Sequence, residues 1–272
     1  RDYHAFVPPP LRSEPKEYRR SELRNPASKN LDLLSALQVV RLMNREDRKV
    51  SAAVGRALPS IARAVDAIVQ SIRNGGRLIY VGAGSSGRIA VLDAAECPPT
   101  FGTSPKLVQA LIAGGRRAIT NAVEGAEDSP ANAERDLRAI KLARKDIVTG
   151  ICASGTTPYV LAALRFASRK QAATIAVTVN RNTPVARLAD ILIATDVGPE
   201  VLTGSTRLKS GTAQKMVLNM LTTAAMARRG HGDENLMIDV QASNRQVSQR
   251  KVSILAEAGG KSRSAAEPRG RH

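Results

Sequence analysis

Five short apolar runs, RLIYVG, LVQALIAG, DIVTGICAS, TIAVTVN and DILIATDV, recur between Arg77 and Val197, with helix-like segments among them. Apolar runs of this length read as buried strands, and their alternation with helical patterns across short loops predicts parallel pairing with helices on both faces. The expected fold class is therefore α/β, a three-layer α-β-α sandwich around a mostly parallel sheet. Upstream, LDLLSALQVVRLMNRED from Leu31 and VGRALPSIARAVDAIVQSIRNGG predict two N-terminal helices, the second stopping at Gly75-Gly76. Further helices are expected over ITNAVEGAEDS, TPYVLAALRFA and GTAQKMVLNMLTTAAMARRG. Aromatic residues make up only 3% of the chain and Trp is absent, so Ala, Val, Leu and Ile must build the core.

Residues 1–20, with Pro8-Pro9-Pro10, are expected to form a flexible basic arm, residues 21–244 the folded domain, and residues 245–272 a basic tail. Cys97 and Cys152 form no C-x-x-C, and the three histidines, His4, His231 and His272, lie near the edges. A disulfide framework, a His-based metal site and a catalytic triad are thus not expected. The formal net charge is +17, yet much of the excess sits in flanks such as RSEPKEYRR and KSRSAAEPRGRH, without interleaved aromatics or a helix-turn-helix or zinc pattern. This reads as a solvated basic surface that also draws anionic substrates, with no specific nucleic-acid partner. No apolar run spans a bilayer and no signal peptide is evident, which gives a cytoplasmic expectation with no membrane partner.

Between the first strand and its helix lies GAGSSGR, Gly82 to Arg88. Gly82, Gly84 and Gly87 satisfy G-x-G-x-x-G, and a helix N-terminus behind such a turn offers unpaired N–H groups to an anion. A dinucleotide site also wants an acidic residue closing the second strand, but LVQALIAGG runs into Arg116 and Arg117. The third strand repeats the pattern with DIVTGICASGTTPY. Ser85 and Ser86 from the first loop can thus share one crevice beyond the strand ends with Ser154, Gly155, Thr156 and Thr157 from the second. Two hydroxyl-rich loops suit a phosphorylated polyol better than a nicotinamide.

Two acidic features complete the pattern. In LDAAECPPTFG, Cys97-Pro98-Pro99 is expected to end the helix, leaving Glu96 at the break. In VEGAEDS, Glu124 and Glu127 are expected at i, i+3 on one helical face, with Asp128 beside them. Taken alone, each is an ordinary solvated carboxylate.

The segments SELRNPAS, LIYVGAGSSGR, LDAAECPPTFG, AVEGAEDS, ASGTTPY, GPEVLTGSTRLKSGTAQK and NLMIDVQASN resemble, in order from Ser21 to Asn244, the N-acetylmuramic acid 6-phosphate etherase family of the sugar isomerase (SIS) fold. The GPEVLTGSTRLK block is also similar to the glucokinase regulatory proteins, whereas DAAECPPTFG together with VEGAEDS points to the etherases. The resemblance implies an SIS sugar-phosphate-binding domain with N-terminal helices, and a carbon–oxygen lyase working without metal or redox cofactor. Glu96 is implied as the acid to departing lactate and Glu127 as the base at C2 of the sugar. Gly84, Ser85, Ser86, Ser154, Gly155 and Thr156 or Thr157 are implied at the phosphate. Glu200, Ser205, Arg207 and Lys209 are implied as sugar-contacting or site-ordering residues, Lys209 as counter-charge, against the alternative of a loop that caps the following helix. The chain departs from the family at Thr156, where some relatives carry Arg, at Ser21, where Thr is usual, and at HGDEN. Its C-terminal region is short where the family continues into a small helical domain.

If the helix after the first loop runs from Ser85 to Ala95, it is about 16 Å long at ~1.5 Å per residue, whereas a hexose 6-phosphate spans only on the order of 7 Å from phosphorus to C3. Glu96 of the same chain then overshoots, which predicts a homodimer with shared active sites; a helix that ends early permits a self-contained site instead. The competing functions are a non-catalytic SIS sensor of a sugar phosphate that regulates a partner protein and, more remotely, an NADP oxidoreductase.

Overall fold

The computed structural model describes residues 20–231. Residues 1–19 of the arm expected over 1–20, the HGDEN and NLMIDVQASN segments from Gly232 on, and the tail at 245–272 lie outside the described residues. Among the described residues no helix is long and apolar enough to cross a membrane.

Strands β1 (Leu78–Gly82), β2 (Val108–Ile112), β3 (Ile147–Ile151), β4 (Ala173–Thr178) and β5 (Ile191–Ala194) form one sheet in the order β2-β1-β3-β4-β5. All four pairings are parallel. Because side chains alternate across a strand, each strand supplies two cores. Leu78, Tyr80, Ile147, Ile151, Ile175, Val177 and Ile193 point to one layer, which holds the long helices α1 (Ala36–Arg73), α2 (Gly84–Phe101) and α7 (Lys209–Ala227). Ile79, Val81, Val148, Cys152 and Ala176 point to the other, against α4 (Pro130–Ala139), α5 (Pro158–Arg169) and Val185 of the short α6 (Pro184–Leu188). The predicted three-layer sandwich is the observed fold.

The two predicted N-terminal helices are one. α1 is continuous for 38 residues, opened by a capping box in which Ser35 and Gln38 bond reciprocally. Its buried stripe, Val50, Ala53, Val54, Ala57, Ile61, Ala64, Val65, Ile68, Val69 and Ile72, keeps helical phase straight through Pro59. Pro59 sits on the solvent side, so the carbonyl it leaves unbonded at Gly55 faces water and the helix continues.

Two further expectations are corrected. α2 does not stop at Cys97-Pro98-Pro99; it runs to Phe101 and closes on Gly102, whose φ is +65° and whose N–H bonds Pro98 O. The prolines cost the carbonyls of Ala94 and Ala95 their helical donors, but anchorage of the buried face through Asp93, Ala94 and Cys97 outweighs that loss. The ITNAVEGAEDS segment is not one helix either. α3 (Arg117–Thr120) ends after four residues, Gly125 adopts φ +68°, and Ala126–Asp128 form a 3-10 turn, so Glu124 and Glu127 do not share a helical face.

Candidate active site

In the order β2-β1-β3-β4-β5, the chain direction of the sheet's connections reverses between β1 and β3, which opens a crevice beyond their carboxyl ends. Both hydroxyl loops lie there. A cavity of about 340 Å³ is lined by Ser85 and Ser86 from the first loop and by Ser154, Thr156 and Thr157 from the second. Each loop feeds a helix whose N-cap, Ala83 for α2 and Thr157 for α5, makes no side-chain capping bond. The first-turn N–H groups of both helices are therefore available to an anion. No Lys or Arg lines this cavity among the described residues. The polar groups this cavity offers an anion are hydroxyls and backbone amides.

The second loop is built rigidly from below. Cys152 Sγ accepts from Gly155 N at 3.1 Å and donates to Thr157 Oγ1 at 2.9 Å. Ser154 Oγ accepts from Thr156 N at 3.2 Å and Thr156 Oγ1 at 3.1 Å, while Asn180 Nδ2 donates to the carbonyls of Ala153 and Ser154. Gly155 has φ +79°, and a Cβ there would sit 2.4 Å from Thr183 Cβ, so only glycine fits. Gly155 thus shapes the loop while itself buried beneath the cavity wall.

Carboxylates form the cavity's other side. Glu127 and Asp128 enter from the 3-10 turn after Gly125, and Glu22 from the segment Arg20–Glu22. Glu124, by contrast, faces an adjoining smaller cavity with Arg88 and Asn121, which Glu127 also borders.

A protein of Actinobacillus pleuropneumoniae serotype 5b (strain L20), named N-acetylmuramic acid 6-phosphate etherase, is 53% identical over 238 residues, covering 88% of this chain and 78% of its own length. One of Vibrio atlanticus (strain LGP32) with the same name is 55% identical over 238 residues, with the same coverage of 88% and 78%. The chain belongs to the N-acetylmuramic acid 6-phosphate etherase family. Residues 60–168 match the glucokinase regulatory protein N-terminal SIS domain and residues 125–224 the SIS domain. A phosphoheptose isomerase from Francisella tularensis, 20% identical, superposes with a TM-score of 0.56 over 72% of this chain and 100% of that one, which shows the SIS fold.

Among the residues that resemblance to the etherases singled out, Glu96 stands apart. It lies ten residues beyond Ser86 along the unbroken α2, about 15 Å at 1.5 Å per residue, on the exposed side and away from the cavity of its own chain. The route by which an early helix end would bring it back is closed. α2 is held firmly: buried Asp93, one turn before Glu96, accepts from Tyr80 Oη at 3.0 Å, Asn219 Nδ2 at 2.9 Å and Thr222 Oγ1 at 3.2 Å, tying α2 to β1 and α7. Burial pushes the Asp93 carboxyl above its usual range despite these donors, and pushes the neighbouring Cys97 thiol up to about 12.

Glu200 and Lys209 lie beneath the site rather than in it. Both Glu200 oxygens are consumed at the start of α7, by Lys209 N at 3.0 Å, Ser210 N at 2.9 Å and Ser210 Oγ at 2.7 Å, so this carboxylate caps the helix. Lys209, 1% exposed, places Nζ 2.8 Å from Glu46 Oε2. The expected counter-charge is instead half of a buried ion pair, and the helix-capping alternative describes this loop. From the same block Gly204 and Thr206 reach the cavity, whereas half-buried Ser205 and exposed Arg207 do not line it. Sequence reasoning missed Glu22, Cys152, Asn180 and Gln214. All four lay in segments already quoted, SELRNPAS, DIVTGICASGTTPY, TIAVTVN and GPEVLTGSTRLKSGTAQK, but none carried a periodic or spacing signal of its own.

Proposed function

We propose that this chain is an enzyme, a carbon–oxygen lyase that cleaves the D-lactyl ether of N-acetylmuramic acid 6-phosphate by elimination and hydration, giving N-acetylglucosamine 6-phosphate and D-lactate. The observation that carries the reading is Glu127 in one cavity with the two hydroxyl loops, in a chain of the etherase family. In the open-chain sugar the aldehyde acidifies the C2 proton. Glu127 removes it, the C3–O bond breaks, and an acid protonates the ether oxygen as lactate leaves. Water then adds at C3 of the unsaturated aldehyde while a proton returns to C2. The phosphate rests on Ser85, Ser86, Ser154, Thr156 and the amide groups of α2 and α5.

Glu96 supplies the acid from a second copy of the chain. A symmetric pair lets the α2 of one protomer present Glu96 to the loops of the other, giving two equivalent sites. The exposed flank of α2 suits such a contact, since Leu92, one turn before Glu96, is 52% exposed.

A second reading, a sensor that binds the sugar phosphate without turning it over, draws on the match of residues 60–168 to the glucokinase regulatory protein domain. Incubation with N-acetylmuramic acid 6-phosphate separates the two. Release of D-lactate is expected; binding without lactate leaves the sensor, and neither binding nor lactate defeats both.

A further inference from the structure

One buried polar atom at the edge of the cavity has no partner. Gln214, on the second turn of α7 and 1% exposed, accepts the Ser86 hydroxyl proton on Oε1 at 2.9 Å, while its Nε2 makes no hydrogen bond. Burying two N–H donors without an acceptor is unfavourable, and natural cores avoid it. The same contact creates a conflict at Ser86. A serine hydroxyl has one proton and two lone pairs, so while that proton points at Gln214 it cannot point at an anion in the cavity that Ser86 lines.

Turning the amide over frees the Ser86 proton and satisfies one of the two N–H donors. Half a rotation about its terminal bond exchanges oxygen and nitrogen with no change of shape. Nε2 then donates to a lone pair of Ser86 Oγ, and the Ser86 proton is released toward the cavity. We propose that Gln214 is a positioning residue for the phosphate, its buried amide able to hold the Ser86 proton and, turned over, to donate to Ser86 Oγ as an anion takes that proton. This rests on the phosphate reading of the two loops and adds to it the device that turns one hydroxyl from self-satisfied to donating. A donor to Oγ also polarises the hydroxyl and strengthens the bond it gives to the anion.

Gln214→Glu keeps the shape but offers only acceptors when ionised, so it holds the Ser86 proton permanently. The probe is N-acetylglucosamine 6-phosphate, with its dissociation constant followed by calorimetry across pH in the wild type, Gln214→Glu, Ser86→Ala and the double variant. Loss of one charge-assisted hydrogen bond predicts binding weakened about tenfold or more in Gln214→Glu near neutral pH. The ratio to wild type should shrink as the pH falls and the introduced carboxyl gains a proton it can donate. The effect should largely disappear in the Ser86→Ala background.

Wild-type affinity in Gln214→Glu overturns the proposal, as does an equal loss with and without Ser86, which would mark simple charge repulsion. Failure of the wild type to bind any sugar phosphate overturns instead the phosphate reading beneath it. Should Gln214→Glu not fold, Gln214→Met serves, since it removes the donor without adding charge. Weakened binding that depends on Ser86 supports the proposal, and unchanged binding refutes it.

Discussion

Replacing Lys209 with Met removes one half of an ion pair that is shut off from water, and the consequence can be worked out from Glu46. Its carboxylate takes hydrogen bonds from Lys209 Nζ at 2.8 Å, Asn25 Nδ2 at 3.0 Å and Lys49 Nζ at 2.6 Å, and Glu46 is 1% exposed. Burial alone would raise its pKa, yet the bonds from Lys209, Lys49 and Asn25 carry it from 4.5 down to about 2. At ~1.4 kcal/mol per pH unit that drop is worth roughly 3 kcal/mol. Stranding one member of a buried pair costs about 3–5 kcal/mol, an upper bound here because Lys49 still pairs with Glu46. Lys209→Met should therefore lower Tm by up to about 10 °C at pH 7, taking ~2–4 °C per kcal/mol for a domain of this size.

The pH dependence has a definite sign. Because the folded pKa of Glu46 is depressed, its contribution is complete above about pH 4.5 and is lost as the pH falls toward 2. In Lys209→Met that depression is weakened, so the stability gap to wild type should narrow on acidification. A Glu46→Met, Lys209→Met double variant, which leaves no stranded charge, should recover most of the lost stability and bind N-acetylglucosamine 6-phosphate as the wild type does. Thermal and urea unfolding at pH 7 and pH 4 measure the first part. A double variant that is stable but cannot bind the sugar phosphate would refute the reasoning, because it would return Lys209 to the ligand.

Three further outcomes follow from the site. Gly155→Ala forces a Cβ to within 2.4 Å of Thr183 at a backbone φ of +79°, so sugar-phosphate affinity should collapse with a loss of at least about 1–3 kcal/mol of stability, read by calorimetry and thermal melting. Cys152→Ala removes the sulfur that gathers Gly155 N and Thr157 Oγ1, and should weaken sugar-phosphate binding several-fold while the sheet stays intact, as judged by circular dichroism. In deuterated water, Glu127→Gln should abolish exchange of the C2 proton of N-acetylmuramic acid 6-phosphate, whereas Glu96→Gln should retain exchange yet release little lactate; equal loss in both would defeat that division of roles.

The sheet was legible because five apolar runs separated by helical patterns leave little freedom once every strand must be covered on both faces. Local signals misled where tertiary contacts overrode them. Pro59 and Pro98-Pro99 are strong breakers on paper, yet each sits in a helix whose buried face is anchored, and both helices run on. In VEGAEDS the acidic spacing suggested a helix, but Gly125 in the left-handed region breaks it and turns Glu127 toward the cavity. Ser85, Ser86, Ser154 and Thr156 were readable from the loop chemistry after β1 and β3. Asn180 and Gln214 were not, since they act through bonds to residues far away in sequence, Asn180 to Ala153 and Ser154 and Gln214 to Ser86, and no local pattern encodes such pairings. Glu200 and Lys209 were found by resemblance, which left open sugar contact, site ordering or a capping loop; Glu200 caps α7 and Lys209 joins a buried pair, since a charge near a phosphate loop is as easily either.

The central claim is that one chain holds the phosphate loops and Glu127 but borrows Glu96 from its neighbour. Mixing Glu96→Gln protomers with Glu127→Gln protomers, each inactive alone, tests it most directly. After subunit exchange, proven by mass-tagged protomers, every mixed dimer has one site with both wild-type glutamates and one with neither. In an equal mixture half of the dimers are mixed, so D-lactate release should return to about one quarter of the wild-type rate. No recovery despite proven exchange would show that each chain completes its own site and would contradict the account.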